Sequence, residues 1–391
     1  MHLVFATSIV PDGTPTTGYE IANQAIIDGL RRVGARVTVL GFTWPGSAPS
    51  DPENTVVLGS VDVRTDNASA VRKADWLMSA IRSGQTFASV KLLGAAGPAE
   101  LSRALDRIDP WDAVVVNATQ MGGAYEAVLT ARPFLYVAHN VEHVSALENA
   151  TAARSLARRM LFQREARLLK SLEDRLCRKA GFVWTLAEDD RAALGVDEDD
   201  RSAALALSTP AASAGPPADS DILCEAALIG TWTWAPNRIG LDWFLEKVVP
   251  HLPGDFRVRI AGAMPSDLSA PAPNVEFVGR VPDATAFVRQ AAVIPLISRA
   301  GTGVQLKTIE TFELGLPSVA TTHALRGVAH RPSNCVVADD PQAFAAALVA
   351  AAKHRSAPLD GSDFVRAQRE ALDAGLLRGL ESLDRKARLA A

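Results

Sequence analysis

The sequence predicts an α/β protein built of two doubly wound domains, each a parallel sheet flanked by helices, facing each other across an interdomain cleft. Three observations carry that expectation. Short β-rich runs alternate with helix-like segments almost from end to end. The runs are apolar throughout rather than alternating in polarity, as expected for strands buried on both faces of a parallel sheet. A stretch rich in Pro, Ala, Ser and Gly, LSTPAASAGPPADSD at 207–221, separates two such series and marks a linker or domain crossing. With 391 residues the chain is also too long for one ordinary core. The expected domains are 1–206 and 207–363, with a helix at about 364–391 packing back on the first.

In the first series HLVFAT (2–7), RVTVL (36–40), TVVLG (55–59), DAVVVN (112–117), FLYVAH (134–139) and FVWTL (182–186) read as strands. Ile21, Ala25, Ile26 and Leu30 recur at helical spacing between the first two, and Gly34 stops that helix, giving a βαβ unit. Residues 151–180 read as one basic helix. The second series has strands at 225–230, 256–262, 274–281, 291–297 and 317–322. Helices are expected at about 238–249, through Phe287, and from about Val304. Ligands in such sheets bind beyond the carboxyl ends of the strands, so chemistry is sought in the loops that follow them.

Composition narrows the function. With 48% hydrophobic and 21% charged residues the chain is globular rather than disordered, and a formal charge of −4 argues against a general nucleic-acid binder. Cys177, Cys224 and Cys335 are scattered without a CxxC spacing, so neither a disulfide framework nor a zinc knuckle is expected, and a cytoplasmic setting is. MHLVFATSIVPDG reads as a first strand rather than a signal peptide. The apolar run AFAAALVAAA (343–352) is shorter than the ~20 residues a membrane span needs, and reads as a buried helix face.

The most informative stretch is SRAGTGVQLKTIETFELGLPSVATT, 298–322. A strand ends, a Gly-x-Gly loop follows, and a helix begins. Gly301 and Gly303 permit close backbone approach, and the unpaired amides of a helix start make an anion site. Lys307 and Glu310 share one helix face while Ile309, Phe312 and Leu316 point to the core. Arg299 and Lys307 are the candidate cations for a leaving diphosphate, with Glu310 suited to accept hydrogen bonds from ribose hydroxyls. On the residues alone, a surface ion pair of Lys307 and Glu310 on an amphipathic helix is the favoured reading.

This stretch resembles the donor motif of the retaining glycosyltransferases of the GT-B fold, in the group called family 4, and is closest to the branch reading R-x-G-x-G-x-x-x-K-x-x-E followed by G-x-P. Arg299, Gly301, Gly303, Lys307, Glu310, Gly315 and Pro317 match it. AHNVE (138–142) is similar to the family's His-Asn-x-Glu turn. Arg164, Glu165 and FVWTLAEDD resemble the elements that close its first domain. LIGTWTWAPN and FVGRVPD resemble the opening and base-framing strands of its second. The resemblance implies two Rossmann-like domains and transfer of a hexosyl group from a nucleoside-diphosphate sugar to a hydroxyl acceptor. It also implies retention of configuration by front-side attack, with no bound metal and no cofactor other than the donor. The chain departs from the pattern at Thr302, where many members carry a Glu that contacts the donor sugar. It departs again at Thr231–Trp234, where many carry a basic pair.

The resemblance gives His139 a catalytic role beside Glu310, since the family's His contacts the sugar near the reacting carbon; alone it would read as a structural His. Glu142 suits holding that turn as well as catalysis, and His143 lacks the third ligand a metal site would need. Gly18, Arg299, Gly301, Thr302, Gly303, Lys307 and Glu310 form the expected donor site; Arg238 is a further cation near it. Trp232 and Trp243 read as packing rather than a sugar-stacking platform, and Trp234 in its loop suits either. The acceptor is expected to be a saccharide or lipid-linked saccharide bound in the first domain, in cell-surface polysaccharide or glycolipid synthesis. The basic segment 154–179 suits either a solvated face or peripheral contact with an anionic inner membrane surface. Rival readings are a nucleotide-sugar 2-epimerase of the same architecture and a non-catalytic nucleotide-sugar-binding subunit.

Overall fold

The computed structural model describes residues 1–15, 17–65, 68–108, 110–153, 155–213, 222–353 and 359–390. Arg154 of the basic segment, residues 214–221 of the predicted linker and residue 391 lie outside them. The chain divides into two compact units: unit 1 is Met1–Ala206, Thr302–Val304 and Ala371–Ala391, and unit 2 is Leu207–Gly301 and Gln305–Glu370.

Unit 1 is a seven-stranded, all-parallel sheet. Its strands are β1 (His2–Thr7), β2 (Arg36–Thr43), β3 (Thr55–Ser60), β4 (Ala113–Asn117), β5 (Phe134–Ala138), β6 (Val183–Thr185) and β7 (Ser202–Ala204). Their order is β3-β2-β1-β4-β5-β6-β7. Its helices are α1 (Gly18–Arg32), α2 (Ala70–Ser83), α3 (Phe87–Leu93), α4 (Pro98–Asp106), α5 (Ala118–Leu129), α6 (Glu142–Ala152), α7 (Leu156–Lys179) and α8 (Glu188–Leu194). The order reverses between β1 and β4, so their carboxyl ends form the topological switch point where ligands bind. Helix α1 starts from a capping box in which Thr17 and Glu20 satisfy each other's amides. It buries Ala22, Ile26, Ile27 and Leu30, a face turned slightly from the expected Ile21–Ala25 line.

Unit 2 is a six-stranded parallel sheet of β8 (Cys224–Thr231), β9 (Val258–Ala263), β10 (Val275–Gly279), β11 (Ala291–Leu296), β12 (Ser318–Ala320) and β13 (Cys335–Val337). The order is β10-β9-β8-β11-β12-β13, reversing between β8 and β11. Helices α9 (Ala235–Trp243), α10 (Ala284–Arg289), α11 (Leu306–Glu313) and α12 (Pro341–Lys353) belong to it, and α13 (Ser362–Ala390) runs from unit 2 into unit 1. Phe344, Ala345 and Leu348 of α12 are buried, as the apolar run at 343–352 predicts. No helix among the described residues is long and apolar enough to cross a membrane.

The α/β class and both parallel sheets are as the sequence predicts. The helix expected from about 151 to 180 is α7, Leu156–Lys179, which Ser155 caps by accepting from Arg158 N at 3.3 Å. Its apolar residues are buried chiefly in its second half: Leu172 and Leu176 are covered, whereas Leu156 and Met160 are 79% and 68% exposed. The helix after the Gly-x-Gly loop begins at Leu306 rather than Val304. The three-residue strands β7 and β13 are too short to leave a pattern in the sequence.

Candidate functional site

In unit 2 the site grows from the switch point. Strand β11 delivers Ile297 and Ser298, and the turn after it carries Gly301 at φ +94°, a left-handed value that favours glycine. Helix α11 then points Ile309 and Phe312 into the core, at 0% and 1% exposure, which fixes its opposite face. Lys307 and Glu310 on that face line a pocket walled by Leu228 and Ile229 of β8, Ile294 and Leu296 of β11, Trp232 and Pro236.

The Lys307 ammonium lies 5.2 Å from the centre of the Trp232 ring, a cation–π contact. Trp232 is itself pinned, its indole N–H donating to Ala261 O at 2.8 Å. Gly230 makes the approach feasible, since a Cβ there would stand 2.8 Å from Lys307 Nζ. Burial lowers the Lys307 pKa to about 8, with nearby Glu310 pulling the other way. Burial likewise raises the Glu310 carboxyl, opposed by Lys307. Among the described residues Lys307 makes no salt bridge or side-chain hydrogen bond. A cation held in an apolar pocket without a hydrogen-bonded partner is a site for an anion.

The other expected cations are spent elsewhere. Arg299 is exposed, stacks 4.6 Å over Trp243 and donates to Asp339 O at 3.3 Å. Arg238 pairs with Asp242 and Asp267. Neither is brought to the Lys307 ammonium. Thr302 and Gly303 belong to unit 1 by their contacts. Thr302 Oγ1 accepts from Val141 N at 3.3 Å and lies 3.2 Å from Ser145 Oγ, while Gly303 N donates to Asp190 at 2.9 Å.

In unit 1 the carboxyl ends of β1, β4 and β5 meet in a buried polar network. Asn117, closing β4, donates from Nδ2 toward Thr7 Oγ1, Tyr19 OH and Asn23 Oδ1. That leaves its Oδ1 as the acceptor facing His139 Nε2 at 2.8 Å. His139 is therefore held as the neutral tautomer protonated on Nε2, and burial lowers its pKa to about 3. Such an imidazole orients or polarises a ligand and is a poor proton acceptor. Gly18 lies at the exposed first residue of α1 and does not line the cavity beside His139, although its neighbour Tyr19 does.

The turn after His139 is held chiefly by Glu173 of α7, and Glu142 adds a contact within it by accepting from Asn140 Nδ2 at 3.4 Å. Glu173 accepts from Glu142 N at 2.7 Å and pairs with His143 Nδ1 at 2.6 Å, and burial raises its pKa to about 7. Arg164 and Glu165 tie α7 to the ends of α2 and α3, through Ala80 O and Phe87 N. No cluster of three metal-ligating side chains occurs among the described residues. The sequence reading missed Asn117, Glu173, Gly230 and Trp232 as positioning residues. Asn117 had a signal: a polar residue closing an otherwise apolar strand, AVVVN.

The model of the family described as "Glycosyl transferases group 1" matches residues 225–354, which contain the Lys307 pocket. Sucrose-phosphate synthase from Thermosynechococcus elongatus is similar in structure, with a TM-score of 0.63 and 14% identity over 100% of both chains. HepE from Anabaena in complex with UDP-glucose gives 0.59 and 13% over 99% of this chain and 100% of that one. An alpha,alpha-trehalose-phosphate synthase (UDP-forming) from Burkholderia xenovorans in complex with glucose-6-phosphate gives 0.56 and 12% over 99% of each. No curated protein sequence matches significantly. A group 1 glycosyltransferase domain thus spans residues 225–354 around the Lys307 pocket, within a chain whose fold is of the GT-B kind over its whole length.

Proposed function

We propose that the protein transfers a hexosyl group from a nucleoside-diphosphate sugar to a hydroxyl acceptor, with retention and without a metal ion. The observation that carries this reading is the Lys307 ammonium, half-buried over Trp232 with no hydrogen-bonded partner, beside Glu310 and inside the matched domain. The sugar C1–O bond to the diphosphate breaks, a C1–O bond to the acceptor forms, and the acceptor proton leaves on the diphosphate. Negative charge grows on the leaving group, where Lys307 and the first amides of α11 lower its energy. Glu310 holds the ribose hydroxyls. His139, neutral and oriented by Asn117, is suited to orient a sugar hydroxyl; it moves no proton, which disfavours an epimerase that depends on a histidine base. The similar HepE and trehalose-phosphate synthase structures carry UDP-glucose and glucose-6-phosphate respectively, which makes a UDP-sugar the first donor to test.

Unit 1 is the acceptor side in this reading, and the acceptor is a saccharide or lipid-linked saccharide of polysaccharide or glycolipid synthesis. The exposed basic start of α7 supplies peripheral contact with an anionic membrane surface. The test is a thermal-shift panel of UDP-, GDP- and dTDP-sugars. The matching donor raises stability by about 2.7 kcal/mol at a hundredfold excess over its Kd, and at the same concentration the gain falls to about 0.4–1.4 kcal/mol in Lys307→Met. No shift with any nucleotide would overturn the donor site.

A further inference from the structure

Unit 1 contains a cavity of about 910 Å³ whose two ends differ in chemistry. Where the strands end it is polar, lined by Tyr19, Thr119, Gln120, His139 and Asn140. Where α2, α3 and α7 wall it, it is apolar, lined by Leu77, Phe87, Leu161, Phe162 and Leu169. The volume lies in the range of small-molecule sites. A sugar alone would satisfy the polar end and leave the apolar wall facing water.

Basic side chains gather at one part of the wall. Residues 70–83 and 156–163 carry Arg72, Lys73, Arg82, Arg158 and Arg159 against the acid Asp75. The acids that line the cavity are Glu142 and Glu165, and the Glu165 carboxylate is engaged by Phe87 N at 2.6 Å. Lys73 and Arg158 line the cavity itself. Lys91 also lines it, but its ammonium is taken by Val63 O at 2.9 Å and Thr65 Oγ1 at 2.7 Å. Outside the cavity the same helices leave Val71 80%, Ile81 52% and Leu156 79% exposed.

We infer that the ligand of this cavity is an anionic amphiphile. It offers its hydroxyl to the polar strand ends, its apolar body to the wall of α2, α3 and α7, and its anionic group to Lys73 and Arg158. The inference rests on the reading of unit 1 as the acceptor side and narrows the acceptor class from saccharides in general to those attached to an apolar, negatively charged carrier. The carrier is either a membrane lipid or a free amphiphile; both share this chemistry.

The experiment titrates the full chain calorimetrically with inorganic phosphate, hexyl phosphate and decyl phosphate, below the concentration at which micelles form. Burial of the alkyl chain tightens binding about fourfold for each added methylene, and inorganic phosphate alone gives no measurable heat. Leu77→Asp and Phe162→Asp abolish the dependence on chain length. Lys73→Ala with Arg158→Ala removes the preference for decyl phosphate over uncharged decyl glucoside. Equal affinity for hexyl and decyl phosphate in the unaltered protein overturns the inference, whatever the variants do. Sedimentation with phosphatidylcholine vesicles containing phosphatidylglycerol identifies the carrier as a membrane lipid. Binding of decyl phosphate without sedimentation identifies it as a free amphiphile, and either result upholds the chemistry. Stabilisation by UDP, GDP and dTDP is read in parallel at the Lys307 pocket. Its absence with all three sinks the donor reading alone, and chain-length independence with nucleotide binding intact sinks this one alone.

Discussion

Lys307 holds its charge at a cost that only an anion can offset. Burial places its pKa at about 8, below the ordinary 10.5, so the folded free protein is penalised for carrying the proton below that pH. Two outcomes follow, of opposite sign. As pH rises from about 8 toward 10.5 the penalty is relieved, and the free protein gains stability relative to Lys307→Met. Over the same rise UDP affinity falls, approaching tenfold for each pH unit, because binding then requires uptake of a proton; calorimetric titration between pH 7 and 9.5 reads it. At pH 7 the Lys307→Met protein melts higher than the unaltered one and binds UDP about 10- to 100-fold more weakly, the range of a lost charge-assisted hydrogen bond. A variant that melts lower and binds equally well would place Lys307 among structural residues. The sequence made Lys307 visible through its spacing from two glycines and Glu310. It could not show Trp232 beneath the ammonium or the diversion of Arg299 to Trp243, because both depend on side-chain directions set by strands distant in sequence.

The strand pair β8–β9 shows how an element shapes that residue's surroundings. Gly262 sits at φ +119°, and a Cβ added there would stand 1.8 Å from Gly230 O, where nothing can yield except backbone. Gly230 is the residue whose missing side chain admits the ammonium. Gly262→Ala should therefore destabilise unit 2 by about 2–3 kcal/mol through backbone strain and also weaken UDP binding by displacing Gly230. Urea unfolding and UDP titration of the same variant check the two parts; a loss of stability with UDP affinity retained would separate Gly262 from the pocket. The strands were legible as apolar runs, most to within two residues. The helices of 70–106 were not, because α2 is amphipathic in reverse, exposing Val71, Met78 and Ile81. An apolar stripe predicts burial only where a neighbour exists to cover it.

At the scale of the molecule the division into units does not follow chain order. Residues 371–391 belong to unit 1 although they come last. Leu372 and Leu376 of α13 are buried at 1% and 0%, packed against Gly29 of α1. Trp184 of β6 donates its indole N–H to Gly375 O at 2.9 Å, and Arg32 pairs with Asp373. Removal of residues 371–391 should thus uncover the Trp184 indole and destabilise unit 1 by several kcal/mol, from two lost leucine contacts and one orphaned buried donor. Circular dichroism and a red shift of tryptophan emission would report it; an unchanged melt would show that α13 is dispensable to unit 1. The return of this helix was an expectation from the pattern at 364–391. Its partner face was not legible, since Gly29 and Trp184 acquire meaning only through the helix that covers them.

That closing helix also sets a schedule. A ribosome completes the strands of unit 1 by Ala204, yet the chain's own cover for Trp184 emerges only after the whole of unit 2 has been made. At about 5–20 residues per second that interval is roughly ten to thirty seconds. During it the half-finished sheet exposes an indole and an apolar helix face to every other nascent chain nearby. The first unit to be synthesised is the last to be sealed, so its yield in the cell should depend on elongation rate and on holding chaperones more than that of unit 2.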